Sequence, residues 1–153
     1  FQAHNIALGV VSGARRSEIE TVLERAMLRN AFEIIVAAED ITHSKPSPEG
    51  YQRAIATFSS RYPDWNLQPH HCLAIEDSFP GLEAARSAQI PVVGVAHTYP
   101  FHMMQRRANW AVDNLEDLEV ERLLEVFSSD SKNDPEDPNN KRLEVSALAS
   151  RHE

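Results

Sequence analysis

Short apolar runs recur along this chain at residues 6–11 (IALGVV), 33–37 (EIIVA), 72–76 (CLAIE), 91–95 (PVVGV) and 110–112 (WAV), with amphipathic stretches between them. Strands that are apolar throughout, separated by helix-length segments, describe a parallel sheet buried by crossover helices. The intervening segments carry helix signals of their own. Residues 17–29 place Ile19, Val22, Leu23, Ala26 and Met27 on one face, and Ser17 with Glu20 has capping-box spacing. Residues 48–60 open with Pro48 behind Ser47, and residues 80–88 follow Asp77 or Ser78 as a cap. A short helix over Phe101–Arg107 and a last one over 117–126 complete the expected α/β alternation.

After Phe127 the stretch SSDSKNDPEDPNNK has no apolar residue, so it cannot bury enough surface to offset ordering entropy. The expectation is a core over residues 1–127 and a disordered polar tail over 128–153, in which LEVSALAS forms at most a helical turn or two. A chain of 153 residues suffices for one domain with its own core. A net charge of −8 leaves no basic surplus for a nucleic-acid backbone. No apolar run is long enough to span a bilayer, so no membrane partner is expected. The single cysteine, Cys72, cannot form an intramolecular disulfide, which suits a reducing, cytoplasmic setting. The chain opens at Phe1 without a methionine or a leader pattern, which suggests that it starts within a longer protein.

In an open parallel sheet, ligands gather at the carboxyl ends of the strands. The first run ends in Ser12-Gly13, where a hydroxyl and an unhindered amide can meet an anion, although the same pair also makes an ordinary turn. The second leads to Lys45 between Ser44 and Pro46, the one lysine before Lys132 and Lys141. A compact ammonium suits a phosphate contact, and on residue type alone it equally suits a solvated surface. The third ends in Glu76-Asp77, adjacent carboxylates whose crowding a divalent cation would relieve; helix capping is the alternative. His70, His71 and Cys72 are too close in sequence for a zinc site, and Trp65 and Trp110 read as packing residues. His97, Tyr99, His102 and Met103 follow the fourth run, where they either border the mouth of a site or form an ordinary loop and helix start.

The order strand-Ser, loop-Lys-Pro, strand-Glu-Asp, and the wording LGVVSGA, SKPSPEGY and LAIEDSFPGLEAARSAQIPVVGV, resemble the haloacid dehalogenase superfamily across roughly residues 6–118. Within it, the wording resembles the subgroup containing β-phosphoglucomutase-like and phosphoglycolate phosphatase-like enzymes. The resemblance implies a Rossmann-like, three-layer α/β/α fold and phosphoryl transfer through an aspartyl-phosphate. It also implies that Ser12 and Gly13 hold phosphate oxygens, that Lys45 neutralises charge at the reacting group, and that Glu76 and Asp77 hold Mg2+. The expected partner is a small phosphorylated metabolite.

One family element is missing: no DxD motif, which would carry the nucleophile, occurs in the sequence, and no aspartate precedes Ser12. In the family that motif ends a central strand upstream of a cap domain. The expectation is therefore an incomplete sheet lacking its central strand, in a chain inactive by itself and derived from a phosphatase. A sugar-phosphate mutase, or a noncatalytic binding protein on the same fold, is the alternative.

Overall fold

The structure, a computed structural model, describes residues 1–130. They fall into two compact units, one spanning Leu8–Asp117 and the other comprising Phe1–Ala7 with the chain from Leu118 onward. The larger unit holds all the described strands. Strand β1 (Gly9–Val11) pairs in parallel with β2 (Ile34–Val36), Val11 lying opposite Val36. Strands β3 (Ala74–Glu76), β4 (Val92–Val95) and β5 (Trp110–Val112) form a second parallel sheet in that order, with Glu76 opposite Gly94. Each apolar run is thus a strand in an α/β fold with parallel pairing. The strands are divided between two sheets, however, and among the described residues β1 and β3 each pair on one side only.

Burial follows this division. β4, flanked on both sides, is buried at every position, whereas Ile75 in the middle of β3 is 37% exposed.

The helices are α1 (Arg16–Arg25), α2 (Glu49–Arg61), α3 (Phe79–Ser87), α4 (Phe101–Gln105) and α5 (Val120–Asp130). Helix α1 departs from expectation at both ends. It starts before Ser17, and its first turn is closed by the Glu18 carboxylate accepting the Arg15 N–H at 2.9 Å, so the Ser17/Glu20 box is not used. It stops at Ala26 because Met27 turns left-handed at φ 56°; Met27 N–H then donates to Glu24 O and Leu28 N–H to Leu23 O. Such a close usually advertises itself with glycine, and here methionine fills it, so the sequence carries no stop signal. The expected apolar face shrinks accordingly: Ile19 is buried, while Val22 and Met27 are 65% and 91% exposed.

Helix α3 ends the same way through Gln89 at φ 61°. Its cap is Ser78, whose Oγ accepts the Gly81 N–H at 3.2 Å, not Asp77. Helix α2 starts at Glu49, with Ser47 Oγ accepting the Glu49 N–H at 3.3 Å. Helix α4 is shorter than the expected Phe101–Arg107.

The core of this unit lies where α3 and α4 cover the second sheet. Leu82, Val92 and Met104 are 1%, 0% and 0% exposed, and each such side chain contributes about 1.5–3 kcal/mol by leaving water. A smaller cluster of Ile34, Val36 and Ala54 seats α2 on the first sheet. In the other unit Leu123 of α5 is buried and His4 Nε2 lies 3.4 Å from Glu121. Helix α5 continues past the composition change at Phe127 to Asp130; the rest of the expected tail, with LEVSALAS, lies outside the described residues. No described helix is long and apolar enough to cross a membrane.

Candidate phosphate-binding site

The ends of β1 and β3 meet at Lys45. Its loop leaves β2 through a short turn at Ala38–Asp40, doubles back with Ser47 N–H donating to Ser44 O at 3.0 Å, and contains a cis Lys45–Pro46 bond. The ammonium donates to the Val11 carbonyl at the end of β1, 3.0 Å away, and pairs with Glu76 Oε1 at the end of β3. Its side chain is only 25% exposed, which sets aside the solvated-surface alternative.

Glu76 is the one buried charged residue described, at 7% exposure. A carboxylate in that position is tolerable only if its charge is met. Lys45 meets it, and so does a residue the sequence analysis passed over: Tyr51 of α2 donates its hydroxyl to the same Oε1. Burial, then the neighbouring negative charge of Glu76, pushes the Tyr51 phenol far above its ordinary value, so it remains a donor. The other carboxylate oxygen rests against Gly81 in the first turn of α3. A Cβ there would stand 2.0 Å from Glu76 Oε2, so the position requires glycine. Tyr51 sits inside the quoted SKPSPEGY stretch, but nothing in that spacing says which carboxylate its hydroxyl reaches.

Asp77 points elsewhere. Its Oδ2 accepts from Thr98 Oγ at 2.6 Å, so Thr98, rather than His97, Tyr99, His102 or Met103, joins the exit of β4 to the site. Tyr99 instead stacks on Phe79 with ring centroids 4.0 Å apart. Ser12 and Gly13 form an open corner after β1. Ser12 Oγ accepts the Ala14 N–H at 3.1 Å, which leaves its hydroxyl hydrogen free to donate. A Cβ built on Gly13 would meet nothing within 4 Å. Its φ is not positive, so the position uses the openness of glycine and not its left-handed freedom. The corner is braced against the β2 exit by Arg16. Its backbone N–H donates to Glu39 Oε2 at 3.1 Å, its guanidinium donates to Ile35 O at 3.1 Å and pairs with Asp40, and Asp40 also accepts the Ala37 N–H at 2.8 Å. No local pattern announces this brace, because Arg16 lies 19 to 24 residues from its partners.

The geometry therefore brings Lys45 and Glu76 together with the carbonyl before Ser12, and gives the two adjacent carboxylates different surroundings. Glu76 Oε1 takes both the Lys45 ammonium and the neutral Tyr51 hydroxyl, while its Oε2 rests against Gly81. Asp77 is half-buried with one oxygen committed to a neutral hydroxyl, and it suits a hard cation that takes one or two protein carboxylates. Among the described residues no group of three or more His, Cys, Asp or Glu is arranged to hold a metal, and His70, His71 and Cys72 form no such group. The His70 and His71 rings meet edge to face at 4.2 Å, and burial pushes the Cys72 thiol up to about 11.

A family model described as haloacid dehalogenase-like hydrolase matches residues 1–95. The chain is 30% identical over 99 residues to validoxylamine A 7'-phosphate phosphatase of Streptomyces hygroscopicus subsp. limoneus, covering 65% of this chain and 43% of that protein. It is 32% identical over 88 residues to fructose-1-phosphate phosphatase YqaB of Escherichia coli K12, covering 58% and 43%. Among solved structures, β-phosphoglucomutase from Clostridium difficile matches with a TM-score of 0.69 at 26% identity, over 84% of this chain and 52% of that one. The chain spans about half the length of the relatives it matches.

Proposed function

The chain belongs to the haloacid dehalogenase-like hydrolases, and on that premise we propose that it is the phosphate-gripping part of a magnesium-dependent phosphatase acting on a small phosphorylated metabolite. The observation that carries this reading is Lys45 suspended between the Val11 carbonyl and the Glu76 carboxylate, at the carboxyl ends of strands in two separate sheets. An ammonium held there contacts the residue before the Ser12-Gly13 corner and the residue before Asp77. In this reading Ser12 donates its hydroxyl, and Gly13 its N–H, to phosphate oxygens. Lys45 offsets the charge shared by the phosphoryl group and the attacking carboxylate. Glu76, with Tyr51 behind it, holds Lys45 in place. Asp77 and Glu76 would hold magnesium, directly or through water, and the ion would supply further charge neutralisation to a bound phosphate. Phosphoryl transfer depends on such positioning and electrostatics more than on elaborate covalent chemistry.

The attacking aspartate, which would form an aspartyl-phosphate, belongs in this proposal to a further strand between β1 and β3, whose neighbouring edges pair with nothing among the described residues. The chain by itself is then inactive. The sequence relatives named as phosphatases favour a hydrolase; the β-phosphoglucomutase likeness keeps a sugar-phosphate mutase as the second reading. Action on small metabolites in the cytoplasm is part of the same proposal.

Purified chain with magnesium and p-nitrophenyl phosphate should show no turnover, and turnover that disappears on Asp77→Asn would overturn the expected inactivity. In an intact parent enzyme Lys45→Ala should lower turnover about a hundredfold or more, and Lys45→Arg should not restore it, because a planar guanidinium cannot replace a point charge in this slot. Near-normal activity in either variant removes Lys45 from the chemistry.

A further inference from the structure

The first turn of α2 does three different jobs with three consecutive residues. Gly50 lets the helix approach β1 so closely that an added Cβ would lie 2.8 Å from Val11 Cγ1. Tyr51 reaches across to Glu76. Glu49 turns back on the lysine loop: its Oε1 accepts the Thr42 N–H at 2.7 Å, and its Oε2 accepts the His43 N–H at 2.8 Å and lies 3.0 Å from His43 Nδ1. A carboxylate that takes two successive backbone N–H groups, one per oxygen, fixes the peptide between them in position and in orientation.

We propose that Glu49 is a positioning residue for Lys45, clamping the start of the lysine loop to the same helix turn that grips Lys45's counter-ion. The loop from Thr42 to Glu49 becomes a closed ring: the Glu49 side chain joins its ends, the Ser44–Ser47 turn folds it back, and Lys45 projects from its middle. Because Glu49, Gly50 and Tyr51 share one rigid turn, the ammonium, the Val11 carbonyl and the Glu76 carboxylate are referenced to a single body. The same two backbone N–H groups, those of Thr42 and His43, hold the Glu49 carboxyl below its ordinary value. What Lys45 does once positioned rests on the phosphatase reading above; the clamp itself does not.

The test uses the whole chain. Glu49→Gln keeps the size of the side chain but turns one acceptor oxygen into an N–H donor, so one backbone N–H loses its partner and faces another donor. Reductive methylation, followed by mass spectrometry of the lysine-bearing peptides, reports how available Lys45 is, with Lys132 and Lys141 as references in the same chain. Losing one hydrogen bond to a charged acceptor corresponds to about a tenfold change in population. Lys45 should therefore methylate about tenfold faster in Glu49→Gln relative to the reference lysines, while the thermal midpoint shifts little. Glu49→Asp, which keeps both oxygens on a shorter stem, should recover part of the protection. An unchanged Lys45 rate overturns the proposal, as does a rate increase that merely tracks a general loss of stability. The readout needs no turnover. An intact parent in which Lys45→Ala leaves hydrolysis untouched would discard the phosphatase reading and leave the clamp standing.

Discussion

At the scale of single residues, this fold separates neighbours that look alike in sequence. Glu76 and Asp77 are adjacent carboxylates, yet one is buried against Lys45, Tyr51 and Gly81 and the other is half-buried beside Thr98. Cys72 shows the same dependence on surroundings. Burial disfavours its thiolate and raises the thiol from 9.0 to about 11. Alkylation follows the thiolate fraction, so at pH 8 native chain should react with iodoacetamide roughly a hundredfold more slowly than chain in denaturant. The unfolded chain ionises first as pH rises, so the contribution of the buried thiol is intact below pH 9.0 and is lost between there and about 11. Equal labelling of native and unfolded chain at pH 8 would show that Cys72 is not sheltered.

At the scale of elements, the site depends on how closely helix starts approach strand ends. Helix α3 begins over the Glu76 carboxylate, and only the absence of a side chain at Gly81 allows it. Gly81→Ala should push that carboxylate off its contacts with Lys45 and Tyr51. The cost should be about 1–3 kcal/mol, the usual size of an overpacking penalty, read as a lower urea midpoint. A variant as stable as the original would mean that Glu76 moves aside freely and does not fix Lys45. Element identities were legible because apolar runs and cap residues are local signals: each run became a strand, and Ser78 was one of two caps anticipated for α3. Element ends were less so. Helices α1 and α3 close on Met27 and Gln89 in the left-handed region, where no glycine marked the stop.

At the scale of the whole molecule, the described strands leave one side of β1 and one side of β3 without partners. Open parallel edges with an exposed Ile75 beside them offer pairing sites to other chains. Size exclusion with light scattering should therefore show mass rising with concentration; a strictly monomeric chain over a hundredfold range would mean that those edges are covered. The α/β alternation, the strand positions, the family and the placement of Ser12, Gly13, Lys45, Glu76 and Asp77 near strand exits were legible in the residues alone, because each depends on short-range pattern or motif order. Which carboxylate Lys45 engages, the involvement of Tyr51, Gly81, Glu49 and Thr98, and the division of the strands into two sheets emerge on folding. Those outcomes rest on contacts between residues far apart in the chain, and no local spacing encodes which of them will meet.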